Sequence, residues 1–381
     1  MKSAYLDNAA TTPVHPEVTQ AMLASLEENF GNPSSTHAFG RKAKAAVENA
    51  RKEIAKLFNV SAANIIFTSG GTEADNMSIN CAVRDLGVKR IISSKIEHHA
   101  VLNCVEFLHL EHKVKLDFVD LDENGSVDLA HLERLLTEDN PPKTLVSLMH
   151  INNEVGNILD IQKVGEICQK NNALFHCDTV QSVGHYKLDL SEIPVDFIAV
   201  SAHKFHGPKG VGFLYVKHRA NLKPMIHGGS QERDLRAGTE SVHNIIGLQK
   251  ALNLAYDNLE TDQKYIENLK KYFINSVKKN FPEAKFNGLS GDLEQSTYTL
   301  VNVSLPLAQS ESDMLLFQLD LKGIACSKGS ACQSGAQQGS FVLNEIYGSD
   351  LKYPGIRFSF SKFNIEEELD YVISVLKSFS N

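Results

Sequence analysis

A chain of 381 residues, 42% hydrophobic and 22% charged, can bury one large core and a second smaller one, and no apolar run reaches the roughly 18 residues of a membrane span. The net charge of −8 is not gathered into a tail, and the lysines and arginines form no stripe; this argues against nucleic acid and for small molecules and proteins as partners. The N-terminus, MKSAYLDNAATTP, has no basic-then-apolar leader, which points to a cytoplasmic protein whose six cysteines are reduced.

From residue 64 onward, short apolar runs alternate with amphipathic segments of helix length, the order of a wound α/β domain. NIIFTSG, KRIISS, VKLDFVD, TLVSLMH, ALFHCD, VDFIAVS and GVGFLYV read as buried strands, with helices predicted over 72–86, 100–111 and 161–171. From about 244 to 279 a pattern rich in Lys, Glu, Asn and Leu reads as one long helical passage between domains. Beyond it YTLVNVS, a helix over 312–321, GIACS, GIRFSFS and a helix over 365–379 form a smaller α+β unit. No repeat or low-complexity tract interrupts the chain.

In such sheets ligands bind beyond the carboxyl ends of the strands, and three of these ends carry chemistry. VDFIAVS runs out into Ser201, His203 and Lys204. An amine withdrawn from water there has a lowered pKa and suits a Schiff-base nucleophile, whereas Lys209 sits in an exposed Gly/Pro turn. In ALFHCD the period of two puts His176 and Asp178 on one face and turns Cys177 to the other, toward the core. A carboxylate at a buried strand end needs a cation, and a protonated pyridine nitrogen is one. FTSGGTEADN carries Gly70, Gly71 and Thr72 into a helix whose first N–H groups can cradle a phosphate.

Each signal has an ordinary competitor: a surface lysine, a helix N-cap aspartate, a capping box. Their joint occurrence at three strand ends favours a site. One of His98 and His99 can stack on an aromatic ring and shuttle protons at a near-neutral pKa; a metal site made with His203 and His206 lacks thiolates or carboxylates at ligand spacing. In GIRFSFS, Ile356, Phe358 and Phe360 share one face, leaving Arg357 to grip a carboxylate bidentately or to lie in solvent.

YLDNAATTPVHPEV, FGNPSSTHAFGRKA, IIFTSGGTEADN, EHHAVL, HINNEVG, HCDTVQSVG, SAHKFHGPKGVG, HGGSQERDLRAGTESVHNIIG, KGSACQSG and IRFSFSKFNIEEELDYVI succeed one another along nearly the whole chain. With them the sequence resembles the pyridoxal-phosphate-dependent cysteine desulfurases, NifS/IscS-like, of the class V aminotransferase superfamily. The resemblance implies an α/β protein of fold type I. A large domain over 14–250 would carry a mixed, mostly parallel seven-stranded sheet, and a smaller α+β domain would take 1–13 and 251–381.

It further implies that Lys204 forms the Schiff base with pyridoxal 5'-phosphate, Asp178 pairs with its ring nitrogen, Gln181 contacts its phenolic oxygen and His98 stacks on the ring and moves protons. Gly71, Thr72, Ser201 and His203 would hold the phosphate, joined by Thr239 of the second copy in a homodimer. Asn153 and Arg357 would position L-cysteine. Cys332 would take its sulfur as a persulfide, release alanine and serve a sulfur-acceptor protein such as an iron–sulfur scaffold, with transient cluster ligation as a further role. Selenocysteine lyase or another class V aminotransferase is the alternative; no resident metal, membrane or direct nucleic-acid contact is expected. Cys326 and Lys328 ahead of the cysteine motif, and QSGAQQGS after it, depart from the more familiar pattern and leave the acceptor open. Cys326 reads as a packed strand-end neighbour.

Overall fold

The strands predicted as continuous apolar runs are all present in a computed structural model, which describes residues 2–137, 141–219, 222–306, 309–329, 339–348 and 353–379, the side chains of 309–313 excepted. In chain order the first part comprises β1 (Ala4–Tyr5), α1 (Pro16–Glu28), α2 (Ala38–Leu57), β2 (Ile65–Thr68), α3 (Gly71–Leu86), β3 (Arg90–Ser93), α4 (His99–His112) and β4 (Lys115–Phe118). It continues through α5 (Leu129–Leu136), β5 (Thr144–Ser147), α6 (Ile161–Lys170), β6 (Leu174–Asp178), β7 (Phe197–Ser201), β8 (Gly212–Val216) and α7 (Val242–Asp257). The rest is α8 (Leu259–Asn280), β9 (Lys285–Phe286), β10 (Leu300–Ser304), α9 (Gln309–Leu321), β11 (Ile324–Ala325), α10 (Phe341–Tyr347), β12 (Gly355–Ser359) and α11 (Glu366–Lys377).

Seven strands form one sheet in the order β2-β8-β7-β6-β5-β3-β4, parallel except for β8, which runs antiparallel to β2 and β7. Burial on both faces explains why the inner runs lack polar alternation, whereas the edge strand β4, with Lys115 exposed, alternates Lys115 and Asp117 with Leu116 and Phe118. Ile65, Phe67, Ile198, Val200, Phe213 and Tyr215 point to one core with α2, α6 and α7. Ile66, Phe197, Ala199, Leu214 and Val216 point to another with α3 and α4. Turn chemistry sets the helix starts: Asp160 accepts the Lys163 N–H at 2.9 Å and Asp128 the His131 N–H at 2.9 Å, each satisfying a first-turn donor.

A separate core gathers Ala4 and Leu6 with α8, β10, β12 and α11, through Phe273, Val301, Ile356, Phe358, Phe360 and Leu369. The expected single helix over 244–279 is instead two. α7 ends at Asp257 and α8 begins at Leu259, with Asn258 between them at φ −110°, ψ 11°. Val242, Ile245, Leu248 and Leu252 face the sheet core, while Ile266, Leu269, Phe273 and Val277 face the second, so the chain must redirect its apolar stripe. Asn258 supports the break by donating its side-chain amide to the Leu254 carbonyl at 2.9 Å. Among the described residues no helix is long and apolar enough to cross a membrane.

Candidate active site

Where β2, β6 and β7 end, a cavity of about 460 Å³ opens, the place that the strand topology dictates. Its lining includes Gly71, Thr72, His98, Asn153, Asp178, Gln181, Ser201, His203, Lys204 and Arg357. Ten of the residues singled out in the sequence therefore converge on one space. The wall that sequence reasoning missed is the segment before α1. Lys204 donates its ammonium to the carbonyls of Ala9 and Ala10 at 2.7 and 2.9 Å, and the Gln181 amide donates to Ala9 at 3.0 Å. The Thr12 N–H and hydroxyl both donate to the His203 carbonyl at 2.9 Å. Nothing in the small residues of DNAATTP marks them as a site wall; their role exists only in the tertiary fold.

Strand alternation on β6 holds. Cys177 is buried in the sheet core, whereas Asp178 lines the cavity and accepts the Val180 N–H at 2.8 Å in a local turn, not as a helix cap. Burial, with Asp75 adding to it, pushes the Asp178 carboxyl from 3.8 up to about 7. His176 lies deeper, its Nδ1 2.8 Å from the Ser147 hydroxyl and its Nε2 3.3 Å from Asp75 Oδ1. Asp75 and the fully buried Glu97 are acids that sequence reasoning did not single out. Asp75 could have been found, because it shares the buried face of α3 with Ala74, Ser78 and Ala82.

The raised carboxyl gives the cofactor-free chain a pH dependence. The folded state holds the Asp178 proton more tightly than the unfolded chain, so this contribution to stability is complete below about pH 4 and is lost as pH rises to about 7. Because buried His98 and His203, lowered to about 4, act in the opposite sense over the same range, the Asp178 contribution is read as a difference: the melting midpoint of the cofactor-free parent relative to Asp178→Asn should fall between about pH 4 and about pH 7. A difference that does not change with pH would remove Asp178 as a source.

His98 caps α4, with Nδ1 accepting the Ala100 N–H at 3.1 Å, which leaves Nε2 as the protonated nitrogen of the neutral ring. Its pKa is lower than the near-neutral value expected, about 4, through burial, then Lys204 and His99. His99 is turned away and lies on Phe341 with ring centroids 4.4 Å apart. Arg357 is not a solvated strand arginine: it is 1% exposed. Nη1 donates to the Asn153 carbonyl at 2.6 Å and Nη2 to Asp7 at 3.1 Å, while Arg357 Nε and Asn153 Oδ1 are buried without hydrogen-bond partners. The expected bidentate grip thus finds both terminal nitrogens already in use, with Nε unsatisfied.

The aminotransferase class-V family model matches residues 4–372. A cysteine desulfurase IscS of Dictyoglomus turgidum is 41% identical over 379 residues, covering 99% of this chain and 94% of that protein. The chain belongs to the class-V aminotransferase family. Within the family it falls among the NifS/IscS-like cysteine desulfurases: an IscS of Clostridium botulinum is 40% identical over 98% of this chain and 94% of its own. A solved NifS-like protein superposes with a TM-score of 0.89 at 34% identity, covering 99% of both chains. The structure of SspA in complex with cysteine gives 0.82 at 28%, over 95% of this chain and 100% of that one. The fold of this class-V aminotransferase is accordingly α/β, of type I.

The cavity's residues fit pyridoxal phosphate. A buried carboxyl with a raised pKa suits a cationic ring nitrogen, and a half-buried lysine amine stands in the same space. At the other end α3 starts at Gly71 behind Gly70, which has φ +150° and supplies no capping side chain. A Cβ on Gly71 would come within 2.6 Å of Val180 Cγ2, so the narrow cradle needs glycine there. Ser201 closes β7 beside it, and His203 is held by Thr11 Oγ1 at 3.1 Å, with its pKa lowered to about 4 by burial and then Lys204. The capping-box reading is half realised: Glu73 accepts the Ser69 N–H at 2.8 Å.

Lys209 is exposed, as expected of its turn, yet also lines the cavity. Thr239 is exposed and outside the lining of its own chain's cavity. Cys332 lies outside the described residues. Cys326 packs against the second core, and burial, then Asp7, pushes its thiol up to about 12, in keeping with a packed neighbour. Among the described residues no three His, Cys, Asp or Glu side chains gather as a metal site.

Proposed function

We propose that this class-V aminotransferase is a homodimeric, pyridoxal-phosphate-dependent enzyme that moves sulfur from L-cysteine to Cys332 and on to an acceptor protein. The observation that carries the reading is the convergence of Lys204, Asp178 and the Gly71–Thr72 helix start on one cavity, with Arg357 and Asn153 also in its wall. When bound, the cofactor supplies the electron sink that lets bonds at the cysteine Cα and Cβ break. Lys204 would hold it covalently, Asp178 would keep the proton on its ring nitrogen, and Gln181 would face its phenolic oxygen. Gly71, Thr72, Ser201 and His203 would hold its phosphate, completed by Thr239 of the second copy.

Arg357, whose Nε lacks a partner, would donate to the substrate carboxylate, and Asn153, whose Oδ1 can only accept, would position the substrate through one of its N–H donors. Neutral His98 would stack on the ring and pass a proton at Nε2. The Cys332 thiolate attacks the substrate sulfur; the Cβ–S bond breaks with its electron pair left on carbon, which takes a proton. Alanine leaves and a persulfide stays on Cys332, so sulfur is oxidised as carbon is reduced and no outside oxidant is needed. An iron–sulfur scaffold is the acceptor class proposed, and a cytoplasmic setting accompanies the same reading.

Purified protein supplied with pyridoxal phosphate should be yellow and yield alanine and one persulfide per chain from L-cysteine. Cys332→Ala should keep the colour and lose persulfide and sulfur delivery, as alkylation mapping and alanine assays would report. Sulfur delivery that survives the substitution would assign the nucleophile elsewhere. Amino transfer to an oxoacid independent of Cys332 would support the aminotransferase alternative.

A further inference from the structure

The backbone after Ser230 is of a rare kind. Glu232, Arg233 and Asp234 have φ of 45°, 60° and 67°, three consecutive non-glycine residues in the left-handed region. Crowding between Cβ and carbonyl oxygen normally confines that conformation to single residues, and such strain persists only where the surroundings impose it. Here they do. The buried Glu232 carboxylate receives Arg51 Nη1 and Nη2 at 2.6 and 2.8 Å and the Phe67 N–H at 2.8 Å. Arg51, 2% exposed, also donates to the Ile65 carbonyl at 2.8 Å and lies 4.5 Å over the Phe67 ring. Arg233 donates to Glu48 at 3.0 Å. Side chains of the turn are thus fastened to both α2 and β2.

The segment just beyond the turn is tied to the cavity wall. Arg236 donates Nε and Nη2 to the two Glu73 oxygens at 2.8 and 3.2 Å, and Glu73 accepts the Ser69 N–H. Ser69, Gly70 and Glu73 line the cavity, whereas Arg51, Glu232 and Arg236 do not. Gly70 gives α3 no capping side chain, and Glu73, from within the first turn, accepts instead the Ser69 N–H just outside the helix. That position carries a cost: a bare carboxylate at the start of α3 would repel a phosphate seated on the neighbouring N–H groups of Gly71 and Thr72. Burial alone would raise the Glu73 carboxyl, but the bonds from Arg236 and Ser69 outweigh it and hold it ionised and paired.

We propose that the clamped left-handed turn is the positioning element for the phosphate end of the cofactor cleft: Arg51 fixes Glu232, the turn delivers Arg236 to Glu73, and Glu73 then holds the Ser69–Gly71 backbone while its charge is masked. The proposal rests on the pyridoxal phosphate reading above. Arg51, Glu232 and Arg236 are positioning residues, because none of them reaches the cavity.

The test compares binding of pyridoxal 5'-phosphate and of pyridoxal, which lacks the phosphate, to cofactor-free protein by equilibrium dialysis. Arg236→Ala should weaken the phosphate ester about tenfold, the size of one lost charge-assisted pair, and leave pyridoxal nearly unchanged. Adding Glu73→Gln to it should recover part of the loss, since the unmasked charge is gone. Arg236→Lys, which keeps the charge, should retain most of the discrimination and serves if the alanine variant does not fold. Equal weakening of both ligands, or of neither, overturns the proposal while the cofactor reading stands. A parent protein that takes up neither ligand overturns the cofactor reading and this proposal with it.

Discussion

Replacing Lys204 by alanine is expected to lower alanine formation from L-cysteine by about 10⁴-fold or more. That is the top of the range for a positioned acid–base group, because in the proposed function the same amine would also be the covalent anchor. The geometry supports so large an effect. Lys204 comes directly after β7, in a one-turn 3-10 segment over Ala202–Lys204, and its ammonium is directed by the Ala9 and Ala10 carbonyls into the space shared with Asp178. The fold should survive, since the side chain is only half-buried. Alanine release, cofactor absorbance and the melting midpoint, measured together, separate loss of chemistry from loss of structure. A variant that keeps more than roughly a hundredth of its turnover would move the role to Lys209, the other lysine lining the cavity.

The largest stability effect is expected from Arg51→Met. Removing one member of a fully buried ion pair leaves the other charge uncompensated and costs about 3–5 kcal/mol. In a chain of this size that is a fall in melting temperature on the order of 10 °C. Arg51 and Glu232 are each 2% exposed at the side chain and are joined by two hydrogen bonds, so neither can recover solvent when its partner is removed. The double change Arg51→Met with Glu232→Met should cost less than Arg51→Met alone, because an apolar pair leaves no stranded charge. Chemical denaturation of the parent and both variants decides it, and a double variant worse than the single would assign the loss to packing.

The sheet was legible because six of its strands are buried on both faces and read as mostly apolar runs, while the edge strand β4 alternates Lys115 and Asp117 with Leu116 and Phe118; each became a strand. The facing of Asp178 and Cys177 came from the strand period alone. Arg357 was placed on the correct face, but its burial was not visible, since a strand's polar face can be wet or can line a cavity. The residues alone left His98 and His99 undistinguished and the resemblance named His98; its place as the α4 cap, in the cavity lining, depends on where the helix starts. The break at Asn258 was hidden by composition: no glycine or proline marks it, and the cause lies in two cores demanding different directions from one stripe. Arg51 gave no signal either, for an arginine in an amphipathic helix normally faces water.

The stretch from Asp7 to Thr12 has partners far away in the chain. Asp7 pairs with Arg357, Asn8 donates to the Ser359 carbonyl, Ala9 and Ala10 hold Lys204, and Thr12 bonds to His203. During synthesis these residues leave the ribosome hundreds of residues ahead of the groups they bind, Asp7 being 350 positions before Arg357. The wall of the cleft therefore cannot be complete until the chain through Arg357 is available. If the proposed cofactor binds only the completed cleft, holding it at about a hundred times its dissociation constant would lock in about 2.7 kcal/mol only for chains that have closed this seam.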